Sequence, residues 1–100
     1  MSLLTKKEIR LALSQLGGWT LQGKEIQKKF EFADFSRAMG FVNSVAIVAE
    51  RANHHPDIDI RWNKITLTLS THSEGGITRK DITLAKKIDS LAGDATVRLI

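Results

Sequence analysis

Two runs of alternating residues, separated by a short gap, constrain the fold most strongly. In residues 57–62 every second residue is apolar, and residues 65–70 repeat the alternation with threonine and serine between the apolar positions. A period of two is that of a strand with one buried face. Asn63–Lys64 lies between the runs and predicts a two-residue turn, because asparagine tolerates the left-handed conformation. We therefore predict an antiparallel hairpin with Trp62 in the core.

The predicted turn also sets a register that concerns the histidines. It pairs Trp62 with Ile65, and continuing the pairing brings His55 opposite His72, both on the face away from the core. Directly opposed residues have Cβ atoms about 4.5–5.5 Å apart. The chain has 3 histidines, and the third, His54, precedes His55. We therefore expect the imidazoles to gather at the open end of this hairpin.

Three helices are predicted from their start and stop signals. Thr5–Glu8 and Thr78–Asp81 both have the form of a capping box, Thr-x-x-acid, in front of apolar residues at helical spacing. Gly17–Gly18 ends the first helix. Asp34 is a suitable N-cap for a long helix from Phe35 to about Asn53.

The middle of the chain adds a hairpin and a two-sided helix. Trp19–Leu21 and Glu25–Phe32 predict strands around a turn at residues 22–24, and Lys28 interrupts the apolar face, which favours an edge strand. The long helix has two apolar stripes, more than one buried face requires, so we expect one stripe to face the sheet and the other a second subunit. Gly40 within it predicts the close approach of another backbone.

The order helix, hairpin, helix, hairpin, helix predicts an α+β two-layer sandwich. Its four-stranded antiparallel sheet would carry three helices on one face, and residues 1–100 would form a single domain. There is no cysteine, which excludes disulfides and thiolate nucleophiles. No run of about 18 apolar residues or leader segment is visible, so we expect a cytoplasmic protein. The formal charge of +4 comes from scattered basic residues, which disfavours nucleic acid as a partner.

Converging histidines favour acid–base chemistry over a purely structural role. Imidazole gives and takes protons near neutral pH, so two or three of them can serve a reaction that needs an acid and a base together. Lyase or isomerase chemistry on a small molecule fits better than acyl transfer, since no Ser-His-Asp pattern is evident. A zinc site is the less favoured alternative, because adjacent histidines on an extended strand point to opposite sides.

The spacing of these residues resembles the signature of the pterin-4a-carbinolamine dehydratase family. The matching positions are Glu50, His54-His55-Pro56, Trp62, His72 and Asp81, and the segments "WNKITLTLSTHSEGG" and "GWTLQGKEIQKKFEFADFSRAMGFVNSVA" extend the resemblance over nearly the whole chain. The resemblance implies a metal-independent lyase that dehydrates 4a-hydroxytetrahydropterin to quinonoid dihydropterin, recycling the tetrahydrobiopterin cofactor of aromatic amino-acid hydroxylases. Pterin would be the substrate, with no cofactor.

The same resemblance assigns roles to individual residues. His55 and His72 would transfer protons directly, His54 would share that work, and Asp81 would orient a histidine or stabilise its protonated form. The residues implied to bind the pterin are Glu50, Asn53, His54, His55, Pro56, Ser70, Thr71, His72 and Ser73. Asn53, Lys80 and Ser73 stand where animal relatives are expected to carry Asp, Arg and Glu.

Partners are implied as well. Family members form dimers or tetramers, which agrees with contacts through the long helix and a sheet edge. Two alternatives stay open. One is a non-enzymatic binding role, as a dimerisation cofactor or coactivator of transcription factors. The other is a pterin protein of molybdopterin metabolism. A hydroxylase is a further possible partner.

Overall fold

A computed structural model describes residues 2–93 and the strand at residues 96–99. Along the chain its elements are α1 (Lys6–Ser14), β1 (Thr20–Gln22), β2 (Glu25–Phe32), α2 (Phe35–Ala52), β3 (Asp57–Arg61), β4 (Lys64–Leu69), a 3₁₀ turn (His72–Glu74), α3 (Arg79–Ala92) and β5 (Thr96–Leu99). This order confirms the predicted helix–hairpin–helix–hairpin–helix arrangement and the α+β class.

The antiparallel sheet has the strand order β1-β2-β4-β3, and β5 pairs with the second half of β2. The four predicted strands are therefore present, and β5 adds a fifth that the sequence pattern did not indicate. β3 lies at an edge of the sheet. Within the part of the chain that the structure describes, no helix has the length and apolar character needed to cross a bilayer.

The helices cover one face of the sheet. Alternate residues of β2 and β4 turn towards them and are fully buried, whereas the residues between remain partly exposed. Burial of this apolar surface is the main source of stability, at roughly 25 cal/mol per Å². The largest side chains of this core are Phe30, Phe32, Ile26, Ile65, Leu67, Leu69, Ile82, Leu84, Ile88 and Val45.

Lys28 does not mark an edge, so that prediction was wrong. β2 is paired on both sides, and Lys28 is only 5% exposed. Its ammonium group lies 2.8 Å from an Asp89 carboxylate oxygen on α3, and the Trp19 indole donates to the same carboxylate at 3.1 Å. A partner 61 residues away therefore lets a cation occupy the buried face.

The turn of the second hairpin lies one residue earlier than predicted. Arg61 pairs with Lys64, so Trp62–Asn63 form the turn and Ile58 pairs with Leu67. Asn63 is buried and donates through Nδ2 to the Phe32 carbonyl at 2.7 Å, which anchors the turn at this position.

The predicted core position of Trp62 is also wrong. Trp62 takes a left-handed φ of 55° at the tip of the hairpin and is 66% exposed. Moving the turn by one residue changes the pairing by two, so that Ile58 pairs with Leu67 and not with Leu69. Because side chains alternate with a period of two, the apolar residues of both strands keep the faces that were predicted.

Helix α2 buries one side and leaves apolar side chains on another. Ala38, Phe41 and Val45 are buried, whereas Phe35 is 49% and Ile47 57% exposed. A Cβ placed on Gly40 would meet no atom within 4 Å, so no other element of the described chain approaches it. The expected close approach of another backbone therefore stays a prediction for a second subunit.

Both predicted capping boxes are present. In each, the threonine hydroxyl accepts a hydrogen bond from a backbone amide of the first helical turn, and the acidic side chain accepts one from the threonine amide. The residues just before the two boxes are also joined, because the Leu4 amide donates to the Ile77 carbonyl at 2.8 Å. The starts of α1 and α3 therefore lie side by side.

Candidate active site

The candidate site forms where α2 ends and α3 begins. Asn53 takes a left-handed φ of 51°, and its amide donates to the Ala49 and Glu50 carbonyls, which ends α2. The His54 amide also donates to Ala49, at 3.1 Å. After this compact end, the His54 side chain contacts Asp81 on α3, and the His55 side chain contacts Glu50 on α2.

His54 and Asp81 form a buried pair at the centre of the site. His54 Nε2 lies 2.6 Å from Asp81 Oδ1, and the Asp81 side chain is fully buried. Its other oxygen accepts from the Thr71 hydroxyl at 2.8 Å and from the Thr78 amide at 2.9 Å. The threonine hydroxyls of Thr71 and Thr78 lie 2.8 Å apart. All of these polar groups are satisfied, as a buried carboxylate requires.

His55 has a different carboxylate, at the surface. Its Nε2 lies 2.8 Å from Glu50 Oε1, and the two side chains are 58% and 81% exposed. Water screens such a pair, so it contributes little to stability. Its consequence is geometric, because a hydrogen bond at one ring nitrogen orients the imidazole.

His72 does not stand opposite His55, so the predicted cross-strand pair is wrong. The β3–β4 ladder ends at Asp57 and Thr68, and His72 begins the 3₁₀ turn. Thr71, just before it, pairs with Gly76, which folds the intervening loop back on itself. The earlier turn at Trp62 is the cause, since it shifts the ladder away from the histidines.

The three imidazoles nevertheless line one open hollow of about 370 Å³. This volume falls within the range usual for small-molecule sites, about 300–1,000 Å³. Its walls come from the end of α2, the end of β4, the 3₁₀ turn and the start of α3. The lining residues are Asn53, His54, His55, Ser70, Thr71, His72, Ser73 and Lys80.

Three predicted site residues lie outside this lining. Asp81 does not line the hollow but is hydrogen-bonded to His54, and Glu50 is likewise hydrogen-bonded to His55. Pro56 is half-buried just before β3. Ser70 lines the hollow, and its hydroxyl donates to the Lys24 carbonyl at 3.1 Å, which fixes the end of β4 against the first hairpin.

Two residues of the site were missed as such. Thr78 is fully buried within the hydrogen-bond network, and Lys80 lines the hollow. The capping pattern indicated Thr78 as a helix start. Its second contact, the hydrogen bond with the Thr71 hydroxyl, depends on the burial of that helix end, which the pattern does not show. Within residues 2–93 and 96–99, no three His, Cys, Asp or Glu side chains are grouped to hold a metal ion.

Comparison with known proteins identifies the family of the chain. The family model described as "Pterin 4 alpha carbinolamine dehydratase" matches residues 2–91. The chain belongs to this family. Two curated relatives are named "Putative pterin-4-alpha-carbinolamine dehydratase". The one from Roseiflexus castenholzii is 54% identical and covers 90% of this chain and 97% of its own. The one from Sulfurisphaera tokodaii is 50% identical and covers 91% and 98%.

Two solved structures share the fold. A "transcriptional coactivator/pterin dehydratase" from Brucella melitensis superposes with a TM-score of 0.89 at 41% identity, covering 92% of this chain and 100% of that one. A "pterin dehydratase-like protein", described as a RuBisCO assembly factor in the alpha-carboxysome, has a TM-score of 0.69 at 25% identity, with coverages of 78% and 93%. The descriptions of these two structures thus name a transcriptional coactivator and an assembly factor besides a pterin dehydratase.

Proposed function

We propose that this protein is a hydro-lyase that converts 4a-hydroxytetrahydropterin to quinonoid dihydropterin and water by histidine acid–base catalysis. The observation that carries the proposal is the hollow lined by His54, His55 and His72, with a buried carboxylate behind one of the rings. Membership of the family supplies the substrate class.

The reaction requires two proton movements. A base takes the proton from N5 of the pterin, the C4a–O bond breaks, and an acid protonates the departing hydroxyl so that it leaves as water. A neutral His54 donates Nε2–H to Asp81, which leaves Nδ1 as the acceptor of that ring. We therefore assign His54 as the base and Asp81 as the group that holds it and stabilises the imidazolium.

The acid is assigned to the two exposed histidines. The Glu50 carboxylate, 2.8 Å away, orients the His55 ring, and His72 is exposed at the start of the 3₁₀ turn on the same hollow. Either ring delivers its proton to the leaving hydroxyl. Asn53 and the polar groups at the end of β4 supply hydrogen bonds to the pterin ring.

A stopped-flow assay that generates 4a-hydroxytetrahydropterin in situ tests this mechanism. We expect His54→Ala, His55→Ala and His72→Ala each to slow dehydration by about tenfold or more, since one positioned proton transfer contributes roughly 10²–10⁴-fold. Ser90→Ala, at an exposed position of α3, serves as the control. Unchanged rates in all three histidine variants, with intact circular dichroism spectra, would contradict the mechanism.

Recycling of tetrahydrobiopterin is the proposed purpose of the reaction. It is supported if adding the protein to a hydroxylase assay sustains turnover at limiting tetrahydropterin. The alternative substrate, a pterin of molybdopterin metabolism, predicts dehydration or binding of that pterin in the same hollow without any gain in the hydroxylase assay.

A protein-binding role is the second candidate, and exposed apolar side chains favour it. Phe35 and Ile47 are exposed on α2, and Ile60 is 41% exposed on the edge strand β3. We propose that these surfaces form a homodimer or homotetramer, and that a foreign partner could use the same helix. Ile47→Asp is expected to lower the mass measured by light scattering. If the Ile47→Asp variant still catalyses dehydration but no longer binds a partner protein, binding and catalysis are separate functions.

A further inference from the structure

A second hollow adjoins the candidate active site. It lies between the end of α2 and the first turns of α3, with a volume of about 160 Å³. His54 and Lys80 line both hollows, so the two share a wall. Ala52 and the buried Leu84 supply apolar surface.

The charge in this second hollow is of one sign. Arg79, Lys80 and Lys87 line it, and no carboxylate does. Among the residues that the structure describes, neither lysine forms a salt bridge. Two carboxylates on the elements around it have other neighbours. Glu8 lies in the groove on the other side of Arg79, and buried Asp81 is bonded to His54 and the threonines.

The size of the second hollow limits what it can hold. Its volume is below the roughly 300–1,000 Å³ of sites that take a whole small-molecule ligand. It therefore suits one substituent of a ligand whose ring system lies in the larger hollow. Two lysines without a salt bridge, next to Arg79, favour an anionic substituent, such as a phosphate or carboxylate.

We infer that the preferred substrates are pterins that carry an anionic group on their side chain, and that the second hollow binds this group. The inference rests on the proposed function, since the ring must lie in the histidine-lined hollow. It also has a catalytic consequence. An anion beside His54 favours the imidazolium form, which is the form His54 takes after accepting the N5 proton.

The test compares two probes that differ by a single phosphate. Binding of 6-hydroxymethyl-7,8-dihydropterin and of its monophosphate ester is measured by calorimetry with wild type, Lys87→Gln and Lys86→Gln. Of the two hollows, Lys87 lines the second and not the first, and Lys86, its neighbour on α3, lines the groove between α1 and α3 instead. Lys86→Gln thus removes the same charge outside the hollow.

We expect wild type to bind the ester at least about tenfold more tightly than the neutral pterin. Lys87→Gln should reduce this advantage by about fivefold while binding the neutral pterin as wild type does, and Lys86→Gln should keep the full advantage. Raising the salt concentration should weaken binding of the ester alone.

Three outcomes overturn the inference. Equal affinities for the two probes would remove it and leave the dehydratase proposal intact. An equal loss in both lysine variants would assign the effect to the general positive charge of the protein. Absence of binding for both probes, together with no dehydration in the stopped-flow assay, would instead remove the proposed function on which the inference rests.

Discussion

Two helix starts in this protein share a sequence pattern and differ in what they do. The first, Thr5–Glu8, reads TKKE, and the second, Thr78–Asp81, reads TRKD. Both form complete capping boxes. The first box is exposed, and its side chains form hydrogen bonds only with backbone amides at the start of α1. In the second box, Thr78 and Asp81 are fully buried and also form hydrogen bonds with Thr71 and His54. A local motif therefore specifies a helix start, and its burial decides whether it also serves a site.

The largest expected effect follows from removing the buried acid. Asp81→Ala leaves His54, the Thr71 hydroxyl and the Thr78 amide without their partner. We expect a loss of about 3 kcal/mol or more in the free energy of unfolding, because breaking a buried pair strands the remaining groups. Chemical denaturation measures it. Glu8→Ala, the matched change at the exposed box, should cost far less, and equal losses would erase the distinction between the two.

Exchanging the two acids tests the distinction without removing a carboxylate. Asp81→Glu makes the second box resemble the first, but its extra methylene must enter a buried site, at about 1–3 kcal/mol. We expect dehydration to slow by at least about tenfold, because the carboxylate no longer meets His54 at 2.6 Å. Glu8→Asp should leave the stopped-flow rate unchanged. A fully active Asp81→Glu variant would show that the position of this carboxylate is unimportant.

The threonines offer a finer comparison. Thr5→Val and Thr78→Val each remove an N-cap hydroxyl, which costs about 1 kcal/mol. Thr78→Val alone also removes the hydrogen bond between the Thr78 and Thr71 hydroxyls, and Thr71 is the residue that donates to Asp81. We therefore expect similar losses of helix capping, measured by thermal unfolding, and a lower dehydration rate in Thr78→Val alone. A slower rate in Thr5→Val would argue against a purely structural first box.

The smallest effect concerns pH and the exposed box. Hydrogen bonds from Thr5, above all from its backbone amide, lower the pKa of Glu8, and the charge of Arg79 contributes. A lowered pKa in the folded state means that the ionised carboxylate adds stability above its unfolded pKa, and that this is lost as the pH falls through the folded value.

The difference in stability between wild type and Glu8→Gln should thus be present at pH 7. It should shrink from about pH 5 downward, where glutamates begin to protonate. Unfolding curves recorded across this range measure the change. A difference that grows on acidification would contradict the sign of the pKa shift.

The sequence predicted the elements that depend on local chemistry. Both capping boxes, the Asp34 cap and the alternating faces of β2 and β4 follow from neighbouring residues alone, and the structure has them. The meeting of the histidines was also predicted, but by an incorrect route. They share a hollow because Asn53 ends α2 and the 3₁₀ turn folds back, not because two strands oppose them.

The errors concern residues whose state depends on distant partners. Lys28 can be buried only because Asp89 meets it from α3. Trp62 leaves the core because the Asn63 side chain is held by Phe32, on another hairpin. An aromatic residue with positive φ is uncommon, so local preference favoured the later turn. Contacts of this kind are not encoded in periodicity or in turn propensity.

The hydrogen bond from the Leu4 amide to the Ile77 carbonyl joins the two helix starts, because each residue immediately precedes one of the capping threonines. The short segment before α1 therefore acts as a brace for the loop that delivers Thr78 and Asp81. Trimming residues 1–4, or fusing a bulky tag there, should therefore disturb the position of the His54 ring, although that residue lies some fifty positions further along the chain.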